Sequence, residues 1–328
     1  FFTRERFDLL YPSYGDTYPT FMGAIGMTYE QAGHGRAGLG INTDEGFELT
    51  LVDRVAHHTT TALSTVEISS QNAARLNTEF KKFFDNSDLK YKSYVLKGSP
   101  DKITALTDLL DKHEISYSFA SGGKVSGYNY TTQKDGSMDA AGALVVSTNQ
   151  PKGKMIKVLF EPNAKLDEPL TYDITAWSIP YAYGLEAVAS STLVNGSAQN
   201  SVANTNVAVA NAAGYISKWD SMQDATFLSE LLQEDIRVRF SEKELIFGGK
   251  TFKRGSLVIT KSDNRMNEDF STKLIEIANK HNRKLHASNT SFADAITDFG
   301  SPDVKLINNQ RIAMLQGEGT SSLSYGAL

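Results

Sequence analysis

Glu30, preceded by a cluster of tyrosines, is the residue whose type and setting in this sequence best suit chemistry. Tyr11-Pro-Ser-Tyr-Gly-Asp-Thr-Tyr18 places three tyrosines around a Gly-Asp turn. The stretch Gly23-Ala-Ile-Gly-Met-Thr-Tyr-Glu30 then reads as a short apolar strand ending on a carboxylate. A carboxylate at a strand end is held by the sheet while its head reaches into a cleft, which is what a general base requires. On chemistry alone, a solvated rim residue fits the same pattern.

The run Thr28-Tyr29-Glu30, preceded by Tyr11-Pro-Ser-Tyr-Gly-Asp16, resembles the last catalytic segment of the carboxypeptidase A-like zinc peptidases. That resemblance implies that Glu30 takes a proton from a zinc-bound water and returns it to the leaving amine. Zinc lowers the pKa of such a water to about 7, so a carboxylate can act as the base near neutrality. The resemblance also implies that Tyr11 binds the terminal carboxylate of a peptide substrate, with Tyr14 in the same turn as a further substrate-binding tyrosine. Tyr14 or Tyr18 could instead pack as an aromatic lid. In such peptidases a His-x-x-Glu pair and a later histidine hold the zinc upstream of the glutamate. Here no histidine precedes Glu30, and none of His34, His57, His58, His113, His281 and His286 begins a His-x-x-Glu. The expectation is a catalytic segment that keeps the base, with the zinc ligands outside this chain and no activity from the chain alone.

Composition narrows the alternatives. The 328 residues are 40% apolar with a mean hydropathy of -0.31, which suits about two globular domains. No apolar run approaches the roughly 18 residues of a membrane span. The net charge of -5 and pI near 5.7 argue against a nucleic-acid partner, which favours a basic face. With no cysteine there is neither a disulfide nor a thiolate ligand nor a cysteine nucleophile, so a metal would need His, Asp or Glu.

The elements that must position Glu30 follow it. His34-Gly-Arg-Ala-Gly-Leu-Gly40 reads as a flexible rim loop, and residues 48–52 as a strand. Val55, Ala56, Leu63, Val66, Ala73, Leu76, Phe80 and Phe83 then recur at helical spacing. They predict one long helix to about residue 84, with Asp53 as its N-cap and the apolar stripe buried. His57 and His58 are adjacent on that helix, about 100° apart, and so are poorly disposed to share one ion. This order of elements also resembles the end of the carboxypeptidase fold, which sets the first domain at residues 1–86.

Past the polar break Asp85-Asn-Ser-Asp88, strands and helices alternate. Residues 93–96 and 115–119 read as strands around a helix over 100–112, whose stripe is Ile103, Leu106, Leu109 and Leu110. A second set with the same grammar runs through 215–219, 222–233, 237–240, 252–260, 272–281 and 284–287. Such alternation predicts a parallel α/β sheet. The runs 150–162 and 170–184, the latter containing Tyr172-Asp-Ile-Thr-Ala-Trp177, resemble the C-terminal half of large bacterial carboxypeptidase-like proteins, whose peptidase domain is fused to a class I glutamine amidotransferase-like domain. The resemblance implies a flavodoxin-like second domain over 87–328, cut short at its end, and a secreted or periplasmic location. Without a cysteine nucleophile that domain is expected to be non-catalytic. Ser262-Asp-Asn264, at the carboxyl end of a strand, is a further candidate for lining a site.

Two functional expectations result. The first is a zinc metallocarboxypeptidase-like hydrolase acting on the C-terminus of a peptide. The alternative is a non-catalytic ligand- or cell-wall-binding α/β module with a scaffold remnant of a peptidase.

Overall fold

A computed structural model describes residues 12–29, 38–164, 178–197, 204–309, 313–315, 317–321, 323 and 326. It is mixed α/β, and it divides into two compact units, Phe1–Gly98 with Lys102–Ser201, and Ser99–Asp101 with Val202–Leu328.

The first unit opens with a 3-10 turn over Tyr18–Met22, a hairpin of β1 (Gly40–Asn42) and β2 (Glu48–Thr50), and helices α1 (Leu51–Gln71) and α2 (Ala73–Phe83). The expected single helix is two, broken at Asn72, whose backbone leaves the helical range at φ -108 and ψ 16 and whose side chain donates to the Ile68 carbonyl. Its N-cap is Thr50, not Asp53. The Thr50 hydroxyl accepts from the Asp53 amide at 3.1 Å, and the Asp53 carboxylate accepts from the Thr50 amide at 3.0 Å. That reciprocal pair is a capping box, with Asp53 in its third position. The expected apolar stripe forms but is not covered by the described residues, Leu63 and Val66 being 65% and 68% exposed.

The rest of this unit is β3 (Ser93–Lys97), α3 (Pro100–Lys112), β4 (Ser118–Phe119), a hairpin of β5 (Lys124–Asn129) and β6 (Lys134–Asp139), β7 (Leu144–Ser147), α4 (Gly153–Phe160), α5 (Ile179–Ala182) and β8 (Glu186–Ser190). Its six-stranded sheet has the order β4-β7-β3-β8-β5-β6. Tyr94, Leu96, Leu144, Val146, Ala187 and Ala189 meet the helices on one face. Val95, Val145 and Val188 face the other way, onto Val125 and Met138 of the hairpin.

The second unit contains β9 (Gly214–Ser217), α6 (Gln223–Gln233), β10 (Arg239–Ser241), a hairpin of β11 (Leu245–Phe247) and β12 (Lys250–Phe252), β13 (Leu257–Thr260), α7 (Phe270–Lys280), β14 (Leu285–Ser288) and β15 (Val304–Leu306). Its sheet has the order β14-β9-β13-β10-β15.

Every pairing among the described strands is antiparallel, so the parallel, flavodoxin-like sheet expected from the alternation is not what forms. A strand, helix, strand sequence fixes the relative direction of its two strands but leaves open whether they are neighbours. Here they are not: β3 and β4 both pair with β7, and β7 and β8 both pair with β3. Likewise β9 and β10 both pair with β13, and β13 and β14 both flank β9. Each crossover therefore straddles one antiparallel strand, the split βαβ arrangement of a ferredoxin-like β-α-β-β-α-β unit.

The two units repeat this plan residue by residue. Around Tyr94 the sheet partners are Val146 and Ala189; around Tyr215 they are Ile259 and Ala287. The amides of Lys92 and Ala213 bond the carbonyls of Ser190 and Ser288, both at 2.7 Å. Gly142-Ala-Leu-Val-Val-Ser147 and Gly255-Ser-Leu-Val-Ile-Thr260 occupy equivalent places. Helices α3 and α6 also end alike, on Glu114 and Asp235 at φ 54 and 56, with Ile115 and Ile236 each donating to the fifth residue back. The sequence between them has diverged, but the hydrogen-bond frame has not.

Candidate functional site

Two of the three residues expected from sequence to do chemistry, Glu30 and Tyr11, lie outside the described residues, as do His34 and residues 172–177. Tyr14 is described and 39% exposed. Residues 24–29 form no strand: the 3-10 turn ends at Gly23 in a left-handed conformation, and Ile25 and Met27 are exposed, so no sheet position is built for their apolar side chains. The Thr28 hydroxyl donates to the Asp16 carboxylate, which lowers the Asp16 pKa and ties the tyrosine turn to the residues just before Glu30. Tyr18 packs, since its hydroxyl lies 2.8 Å from His113 Nδ1, and Phe21 and Met22 join the core of the first unit.

Among the described residues no three of His, Cys, Asp or Glu converge to hold a metal, and His57 and His58 are exposed on α1. Nor is Ser262-Asp-Asn264 free to bind. Asp263 accepts two bonds from Arg239, at 2.6 and 2.9 Å, and the buried Asn264 side chain ties the backbone of Arg237 to that of Thr260.

A different site emerges in the second unit. The β11–β12 hairpin turns through Gly248 and Gly249, at φ 58 and 69, as a two-residue turn of mirror-image type requires. It folds over the sheet face opposite the helices, where Leu245, Phe247 and Phe252 pack on Ile216, Val258 and Phe299. The Asp294 carboxylate accepts from the Gly249 amide at 2.7 Å and pins the tip. Between this hairpin and β14 lies a cavity of about 670 Å³, within the range of roughly 300–1,000 Å³ usual for ligand sites.

Its electrostatics are cationic. His286, on the cavity face of β14, sits edge-on to the Phe252 ring with 5.1 Å between centroids. Burial and the neighbouring charges of Lys250, Lys218 and Lys284 push its pKa down to about 4. The ring is therefore neutral near pH 7, and Lys250 Nζ, 3.4 Å from Nδ1, can donate to it. Two lysines, Lys250 and Lys284, thus line this cavity with Asp294, although the chain as a whole carries a net charge of -5. In the first unit the equivalent of His286 is Val188, fully buried under the hairpin.

Sequence reading passed over this site. The Gly-Gly pair between Leu245-Ile-Phe247 and Lys250-Thr-Phe252 is a hairpin signal that would have shown the lid, but His286 itself is a lone histidine in a strand and announces nothing.

No protein-family model, curated protein or solved structure matches this chain. No helix among the described residues is long and apolar enough to cross a membrane.

Proposed function

We propose that the chain is a ligand-binding α/β module, and that its ligand carries an anionic group bound in the cavity between the β11–β12 hairpin and β14. The observation that supports this most is Lys250 and Lys284 lining, with a neutral His286, a preformed cavity where the sister unit has core packing. A negative ligand group relieves the mutual repulsion of the lysines. Asp294 is the acidic residue lining the cavity, and its carboxylate is engaged by Gly249.

The test is an amide NMR titration of the chain with glutarate at fixed ionic strength. Saturable shifts at Gly248, Lys250, His286 and Ala287, lost in the Lys250→Ala/Lys284→Ala double variant, are expected. Shifts spread over the surface, or unaltered by the double variant, would count against an anion site.

A second reading concerns the intact protein as a secreted or periplasmic zinc metallocarboxypeptidase-like hydrolase, with Glu30 as base and Tyr11 and Tyr14 on the substrate. Besides the resemblance, the Thr28–Asp16 hydrogen bond favours it, because it holds the tyrosine turn against the residues that lead into Glu30. Its check is release of C-terminal residues from peptides by the intact protein, abolished by Glu30→Gln. Unchanged release in that variant would remove Glu30 from the chemistry.

A further inference from the structure

The same position in the two units is finished in two ways. In the first, the outer edge of β8 is covered by β5, which pairs antiparallel through Tyr128 with Ala189 and Asn129 with Val188, and continues as Tyr130 donates to the Ala187 carbonyl at 3.0 Å. In the second, the equivalent strand β14 is an edge among the described residues, because the inserted hairpin folds over the sheet face instead of adding to it. Leu285 and Ala287 occupy the places of Ala187 and Ala189.

That open edge is already half dressed for a strand. The Asn206 side chain accepts from the Leu285 amide at 2.9 Å and donates to the Arg283 carbonyl at 2.7 Å. One acceptor and one donor, set two residues apart on the same edge, are what an adjoining strand's backbone would present. The Leu285 amide therefore points away from β9, and with a strand's period of two so does that of Ala287. Ala287 is exposed and lines the cavity, whereas its counterpart Ala189 is fully buried.

We propose that this edge takes an extended, acidic peptide segment as an added antiparallel strand. The segment lies along β14 beyond Asn206, pairs with the main chain of Ala287, and sets its carboxylates against Lys250 and Lys284. Strand addition supplies affinity through main-chain hydrogen bonds, and the side-chain pocket supplies selection, here for negative charge. The inference rests on the anion-binding reading above and names the ligand's class.

The experiment titrates the chain, followed by amide NMR, with three blocked pentapeptides: Glu-Val-Glu-Val-Glu, its Gln-Val-Gln-Val-Gln counterpart, and the acidic peptide N-methylated at the residues that would pair. The expected result is binding of the first at least about tenfold tighter than of either other, with the Ala287 amide becoming protected from exchange. Equal binding of the N-methylated peptide would overturn strand addition, and equal binding of the glutamine peptide would overturn the acidic assignment. Saturable glutarate shifts without any peptide binding would sink the inference while leaving the anion site intact. Shifts from neither would sink both. A free chain that sediments as a dimer, reverting to monomer in Ala287→Pro, would assign the edge to a second copy and overturn the peptide.

Discussion

The first unit buries Val188 beneath a hairpin that extends its sheet, and the second exposes His286 to a cavity beneath a hairpin that does not. Everything else at that position is shared: the central tyrosine, the flanking strands, and the hydrogen bonds at the strand end. What differs is where an insertion between the second and third strands of the motif is laid. Placed on the edge, it covers β8 and carries the end of the sheet out to β6; placed on the face, it leaves β14 as an edge among the described residues and roofs a pocket. One fold can thus end in a covered strand or in an open strand beside a cavity, by the path of a single hairpin.

The contrast between the two hairpins depends most heavily on Gly127. A Cβ there would meet the Ala189 carbonyl oxygen at 2.1 Å, so β5 can lie against β8 only with glycine in that position. Gly127→Ala should destabilise the first unit by about 3 kcal/mol, a size typical of forced backbone shifts. Urea unfolding should show the loss, and hydrogen exchange should localise it to the amides of residues 187–189.

Next comes Val188→His, which moves the second unit's side chain into a site with no exposure. An unpartnered imidazole there should cost about 2–3 kcal/mol. A smaller cost would mean that this position is as permissive as that of His286.

Removing the edge's own dressing is milder. Asn206→Ala deletes the bonds to Leu285 and Arg283, for about 1–2 kcal/mol. It should also speed exchange at the Leu285 amide, the reading that separates edge opening from general destabilisation.

The smallest effect is electrostatic. The folded pKa of His286, about 4, lies below its unfolded value near 6.5. Between those values the unfolded chain binds more protons, so stability is full above about pH 6.5 and falls as pH drops towards 4. After solvent screening the loss is on the order of 1 kcal/mol. His286→Val should remove it, seen as a flatter pH dependence of the urea midpoint than in the unsubstituted chain.

Much of the chain beyond residue 86 was legible from periodicity. The stripe of Ile103, Leu106 and Leu110 gave the helix its buried face, and the runs at 93–96 and 257–260 gave central strands buried on both faces. Sheet direction was not legible, because a helix that returns the chain to the start of a strand serves adjacent and straddled strands equally well. Both inserted hairpins escaped: Lys124–Asn129 and Lys134–Asp139 carry few apolar residues, and Phe252 merges in sequence with the strand after it. The duplication is carried by a few positions, such as the Leu-Val-Val and Leu-Val-Ile cores after Gly142 and Gly255, too sparse to stand out without the registers. The cavity depends on residues from β9, β12 and β14, brought together only by the fold.

The most direct measurement is amide hydrogen exchange at Ala189 and Ala287 in the same chain, with and without the acidic pentapeptide. Ala189 should be strongly protected throughout, while Ala287 should exchange fast in the free chain and slow when peptide is added. Equal protection of the two amides in the free chain would contradict it, because the edge of β14 would then already be covered.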